Sequence, residues 1–63
     1  MTFLQRLTLF SLAERRASNA NDSLALAHWS EHVDDLMQKG RERGYSEAEL
    51  TRARTRGYAK ARR

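Results

Sequence analysis

Residues 26–40 read LAHWSEHVDDLMQKG and hold the strongest periodic signal in the chain. A seam of large apolar residues that ends on a glycine recurs there at steps of 3, 4, 3 and 4 residues. Because about 3.6 residues make one turn of an α-helix, this spacing places the seam on one helix face. We therefore expect a helix from about Ser23 to Arg43, with Gly44 just past its end. The seam consists of Leu26, Trp29, Val33, Leu36 and Gly40.

A second seam precedes this helix, and its members recur at steps of 4, 3, 4 and 3 residues. This spacing predicts another helix. Polar, turn-forming residues fill positions 18–23, and we expect Asn21, Asp22 or Ser23 to cap the following helix. Because the link is short, the first two helices are predicted to be antiparallel neighbours. The seam consists of Phe3, Leu7, Phe10, Glu14 and Ala17.

The clearest local motif comes after the second helix, where Ser46 is followed three positions later by Glu49. This pair forms a capping box, in which the Ser hydroxyl accepts a bond from the backbone amide of Glu49 and the Glu side chain reaches back to the cap. Tyr45 precedes the cap and Leu50 occupies the fourth helical position, which is the hydrophobic-staple pairing. The motif predicts a third helix that begins at Glu47.

The composition favours an all-α fold. The chain has 63 residues, with no Cys and no Pro, and its only β-branched aliphatic residue is one Val. The lack of Cys excludes disulfides and thiolate metal sites, and the scarcity of β-branched residues argues against a sheet. A chain this short has little room for an enclosed catalytic pocket beside its core, so we expect a protein that is not an enzyme.

The formal net charge of +4 hides a division along the chain. Residues 1–38 carry three basic and five acidic groups, whereas residues 39–63 carry nine basic and three acidic groups. Most of the large apolar residues fall in the first part. We predict one domain over residues 1–63, in which residues 1–44 form an apolar helical hairpin and residues 45–63 a capped basic helix.

Two helices packed against each other cannot bury all of the large apolar side chains in the apolar part. We therefore expect a further protein surface to cover the rest. The favoured assembly is a homodimeric helical bundle. Its predicted interface, which would also serve a protein partner, consists of Phe3, Leu7, Phe10, Leu26, Trp29, Val33 and Leu36. A larger partner protein would instead contact Leu9, Leu12 and Leu24, which lie off the main seams.

One string has the pattern of a metal site. His28, Glu31 and His32 fit H-x-x-E-H, the signature of inverzincin hydrolases, and Asp35 projects from the same side. A zinc hydrolase also needs a third ligand, an open coordination position and a substrate cleft, for which this chain has no room. We therefore predict no cofactor and no resident metal. An adventitious or dimer-bridging ion would be held by His28, His32 and Asp35.

The third helix has one face of small residues and one basic face with cations at positions i, i+4, i+8 and i+11. The basic face could simply be a solvated surface. Because guanidinium groups suit phosphate and carboxylate, it is also consistent with a nucleic-acid contact or a contact with an acidic protein. The small-residue face consists of Leu50, Ala53, Gly57 and Ala61. The predicted binding residues are Arg52, Arg54, Arg56, Tyr58, Lys60, Arg62 and Arg63.

The favoured function is a small regulatory protein that binds DNA or RNA through this basic helix. The alternative is a protein–protein interaction module, an accessory or inhibitory factor of phage or plasmid type, which binds a larger protein through apolar helix surfaces. The longest apolar run, Leu7 to Ala13, is too short to span a membrane. Because only Arg6 precedes it and charged residues follow it, a secretion signal is disfavoured and we expect a cytoplasmic protein.

Overall fold

The computed structural model describes residues 1–62 and contains three helices in this part of the chain. Helix α1 covers Phe3–Asn19, α2 covers Ser23–Glu42 and α3 covers Glu47–Lys60. No strand occurs within these 62 residues, so the all-α prediction is confirmed. No helix among them is both long and apolar enough to cross a membrane.

Side chains of the preceding residues cap all three helices. Ser46 and Glu49 form the predicted capping box at the start of α3. Asp22 caps α2 by accepting a bond from the backbone amide of Ala25. A further capping box, which the sequence analysis did not identify, joins Thr2 and Gln5 at the start of α1. Each cap satisfies backbone amides that a helix start leaves without partners.

The α1–α2 link and the α2–α3 link have the same backbone arrangement at the end of the preceding helix. Asn21 after α1 and Gly44 after α2 both take positive φ values, 56° and 92°. In each link a later amide then bonds back into the preceding helix, from Asp22 to Ala17 and from Tyr45 to Gly40. This is the Schellman arrangement. Both helices therefore end abruptly, and the cap of the next helix follows one residue after Asn21 and two residues after Gly44.

Helix α1 lies between the other two helices. It packs most extensively against α3 and nearly as extensively against α2, whereas α2 and α3 touch little. Contacts of Phe3 with Gly40 and of Phe10 with His32 show that α1 and α2 run in opposite directions. Helix α3 instead runs parallel to α1, because Thr8 meets Ala53 and Glu14 meets Tyr58.

The core lies where the three helices meet. Leu7 on α1, Val33 on α2 and Leu50 on α3 are fully buried, and burial of each such side chain contributes about 1.5–3 kcal/mol. Leu36, Met37 and Ala53 complete the buried cluster, and Phe3, Leu4, Phe10 and Tyr45 pack around it. Leu7, Val33 and Leu36, which the sequence analysis assigned to a dimer interface, thus belong to the core of a single chain.

Small residues let α3 approach the backbone of α1 closely. A Cβ atom at Gly57 would collide with the carbonyl oxygen of Thr8, and it would lie 2.9 Å from both the amide nitrogen of Leu12 and Cβ of Ser11. The Thr8 hydroxyl donates to the carbonyl oxygen of Ala53 at 3.2 Å. The small-residue face of α3 is therefore the surface through which this helix docks on α1.

We expect Gly57→Ala to lower the free energy of unfolding by about 1–3 kcal/mol, the usual cost of overpacking. The same substitution in an exposed helix normally stabilises by about 1 kcal/mol, but here the new methyl group would clash with the α1 backbone. Urea unfolding measures the difference. Thr55→Ala, on the exposed side of α3, is the control and should be neutral or stabilising. A Gly57→Ala protein as stable as this control would contradict the close approach.

Candidate functional site

The candidate site is a row of cations on the outer side of α3, which we call the cationic stripe: Arg52, Arg56 and Lys60. All three are exposed, and none forms an ion pair with another residue of the described range. Successive members are four residues apart, or about 6 Å along the helix axis. Arg63, the fourth predicted member, lies outside the described residues, and Arg62 is exposed after the helix end.

A groove runs beside the stripe, between the first turns of α1 and the outer side of α3. Its volume is about 650 Å³. Met1, Leu4 and Leu9 from the α1 side contribute its large apolar residues, and all three members of the cationic stripe line the α3 side. We call this feature the α1–α3 groove. It joins an aliphatic wall and a cationic wall, a combination that the sequence alone did not reveal.

Two predicted binding residues, Arg54 and Tyr58, lie against α1 and are partly buried. The Arg54 guanidinium donates to the Tyr58 hydroxyl at 2.8 Å, and this hydroxyl donates to a Glu14 carboxylate oxygen at 2.7 Å. The Arg15 guanidinium covers the Tyr58 ring at 4.4 Å from its centroid. These side chains therefore connect α1 and α3, and they are not part of the exposed stripe.

Glu14 also connects α1 to α2, because its second carboxylate oxygen accepts a bond from the Ser30 hydroxyl at 2.8 Å. The single polar member of the α1 seam is thus hydrogen-bonded to both neighbouring helices. Burial and the bond to Glu14 both raise the pKa of Tyr58, against the opposing effect of Arg54. At neutral pH the Tyr58 hydroxyl therefore keeps its proton and can donate it in the hydrogen bond to Glu14.

The proposed metal residues are only partly brought together. The rings of His28 and His32 lie side by side on α2, with centroids 4.5 Å apart. Asp35 instead forms an ion pair with Lys39 at 3.0 Å. In the part of the chain that the structure describes, no group of three or more His, Cys, Asp or Glu side chains is placed to hold a metal ion.

The large apolar residues with most exposure are Met1 at 80%, Leu24 at 87% and Leu9 at 43%. Leu9 and Leu24 were predicted as contacts for a larger partner, and both are accessible; Leu12, the third, is partly buried. Four predicted dimer contacts keep some exposed surface: Phe3, Phe10, Leu26 and Trp29.

We expect Tyr58→Phe to lower the free energy of unfolding at neutral pH by about 1–2 kcal/mol, because Glu14 and Arg54 lose a shared partner in a partly buried place. Urea unfolding of the single and double variants with Glu14→Gln should show non-additive effects. Tyr45→Phe is the matched control, since the Tyr45 hydroxyl has no hydrogen bond within residues 1–62 and its loss should change stability little. Purely additive effects would contradict the network.

The dependence of the free energy of unfolding on pH in the alkaline range tests the Tyr58–Glu14 contact independently. The unfolded chain releases its tyrosine protons near pH 10, whereas the pKa of Tyr58 in the folded protein is raised. The contribution of Tyr58 is therefore fully present below about pH 10 and is lost as the pH rises through the raised pKa. Stability should fall more steeply in this range for the parent protein than for Tyr58→Phe, and parallel profiles would argue against the contact.

Comparison of the chain with protein-family models, curated proteins and solved structures gives no match.

Proposed function

We propose that the chain is a small, non-enzymatic regulatory protein that binds nucleic acid through the cationic stripe on α3. The observation that carries this proposal is the presentation of Arg52, Arg56 and Lys60. These three cations are exposed, free of ion pairs within the described range and held in a row by a docked helix.

The chemistry of the stripe suits the phosphate backbone. Arginine offers a planar fork of donors that fits phosphate oxygens, and lysine adds a point charge. Neutralisation of phosphates releases counterions, which supplies most of the affinity of sequence-independent binding. Such contacts position a protein on nucleic acid and do not read bases, so we expect similar affinity across sequences.

The anchoring of α3 favours binding by this helix over binding by a disordered basic tail. The helix is capped at its start by Ser46 and Glu49 and docked along α1 through Ala53 and Gly57. An Arg41–Glu47 ion pair also connects it to the end of α2. Because the backbone of the stripe is already ordered, binding orders only the side chains, which lowers its entropic cost.

We expect the double variant Arg52→Gln/Arg56→Gln to bind short fluorescein-labelled DNA or RNA duplexes more weakly than the parent in fluorescence anisotropy. Loss of two phosphate contacts should also reduce the slope of log K against log salt by about 1.8 for DNA between about 50 and 200 mM. The matched control is Arg6→Gln/Arg16→Gln, which removes the same charge from exposed positions on α1. Equal losses in both variants, or no binding by the parent at low salt, would refute the proposal.

We further propose that two copies associate, since Phe10, Leu26 and Trp29 remain partly exposed beside the core and Leu24 is almost fully exposed. Burial of these residues between copies would add the stability that a chain of this size lacks. Sedimentation equilibrium at micromolar concentration should report a dimer whose dissociation constant rises for Trp29→Ala. A folded monomer under these conditions would refute the association.

A further inference from the structure

The α1–α3 groove has two walls of different chemistry. Leu9 is 43% exposed and Met1 is 80% exposed on the aliphatic wall, whereas Arg52, Arg56 and Lys60 line the opposite wall. We propose that this groove is a docking site for an acidic amphipathic helix of another protein. Apolar side chains of that helix would cover the aliphatic wall, and its carboxylates would face the cationic stripe.

The length of the cationic wall suits a helix. The stripe from Arg52 to Lys60 extends over eight residues, or about 12 Å. This length corresponds to about two turns of a bound helix. A helix that lies in a hydrophobic groove presents apolar anchors at positions i, i+3 or i+4, and i+7. One such row of anchors fits the aliphatic wall and leaves the adjacent side of the bound helix opposite the cations.

The charge of the groove selects an acidic occupant. Three cations and one carboxylate, that of Glu49, line it, and the Glu49 side chain is already engaged by the Ser46 backbone and hydroxyl. The cations form no ion pair within residues 1–62. Carboxylates spaced along a bound helix would therefore find unpaired partners, and a basic helix would be repelled.

The aliphatic wall favours an amphipathic helix over two other occupants that carry negatively charged groups, a single-stranded nucleic acid and a second copy of this chain. No aromatic side chain lines the groove, so the bases of a single-stranded nucleic acid would have no ring on which to stack. A second copy offers an exposed acidic surface on α2, at Glu31 and Asp34. On α2, the helix that carries this acidic surface, the only large apolar residue classed as exposed is Leu24, so the acidic surface lacks a row of exposed anchors.

Docking in the groove does not require the proposed function, but it has a consequence for it. A bound acidic helix would occupy Arg52, Arg56 and Lys60, which are the cations assigned to phosphate. Helix docking and nucleic-acid binding would then exclude each other. A partner protein with such a helix would release the chain from nucleic acid, and this competition, unlike the docking itself, rests on the proposed function.

The probe for the experiment is a lactam-bridged, fluorescein-labelled synthetic helix with Leu at positions i, i+4 and i+7 and Glu beside them. Its matched control has the same composition with Leu and Glu distributed evenly around the helix. Fluorescence anisotropy should show binding of the first peptide and at least about tenfold weaker binding of the second. Equal binding of both peptides would overturn the proposal, as would no binding of either.

Two pairs of variants then locate the docking site. Leu9→Gln should weaken peptide binding about tenfold, whereas Leu24→Gln, which changes an exposed leucine outside the groove, should leave it unchanged. Arg56→Gln should also weaken peptide binding about tenfold, whereas Arg16→Gln, outside the groove, should change peptide binding little. All four positions are exposed, and circular dichroism checks that the variants fold. Parent-like binding by Leu9→Gln would overturn the proposal.

The same variants separate this proposal from the proposed function. With a DNA duplex as probe, Leu9→Gln should bind as the parent does, because Leu9 lies off the stripe. Peptide binding without any binding of a DNA duplex or of an RNA duplex would reject the proposed function and leave the docking site in place. If Leu9→Gln abolishes self-association in sedimentation and the peptide does not bind, the groove belongs to a second copy and the docking proposal is overturned.

Discussion

The architecture depends on one close approach, that of Gly57 to the backbone of α1. Because this position has no side chain, the α3 backbone lies directly over Thr8 and Leu12. That proximity brings the Thr8 hydroxyl within reach of the Ala53 carbonyl and places Leu50 in the core. The outer side of α3, with its cations, and the groove beside it exist because α3 is held in this place. The packing of α3 on α1 and the position of the candidate site therefore both depend on having glycine at position 57.

Glu14 contributes a second constraint, which is directional. Apolar contacts are not directional, whereas a carboxylate with two bonded partners accepts only a narrow range of geometries. Its bonds to Ser30 and Tyr58 set the positions of α2 and α3 along α1 at the same time. We infer that its role in this small protein is to select one alignment of the three helices.

The sequence predicts the helices well and their arrangement less well, for physical reasons. Apolar spacing and the Ser46–Glu49 capping box are local signals, and the structure contains the three helices that they indicate. The small-residue face of α3 was also visible, but small side chains do not specify a partner, so its docking on α1 was not predicted. Arg54 and Tyr58 were predicted as binding residues because a guanidinium group suits phosphate and a tyrosine ring can stack on a base. Both side chains also combine an apolar part with a polar end, which suits contact with a neighbouring helix equally well. The groove joins residues about 50 positions apart, which no local pattern reports.

The parallel course of α1 and α3 gives the molecule an electrical polarity. Two helices aligned in this way place both of their positive dipole ends together and both negative ends together, which is unfavourable unless charges offset it. The side chains do so: Glu47 and Glu49 lie in the first turn of α3, while Arg16 and Lys60 lie in the last turns of α1 and α3. Arg16 and Lys60 thus offset part of the field at the aligned negative ends. Lys60, one member of the cationic stripe, therefore also stabilises the helix that carries it.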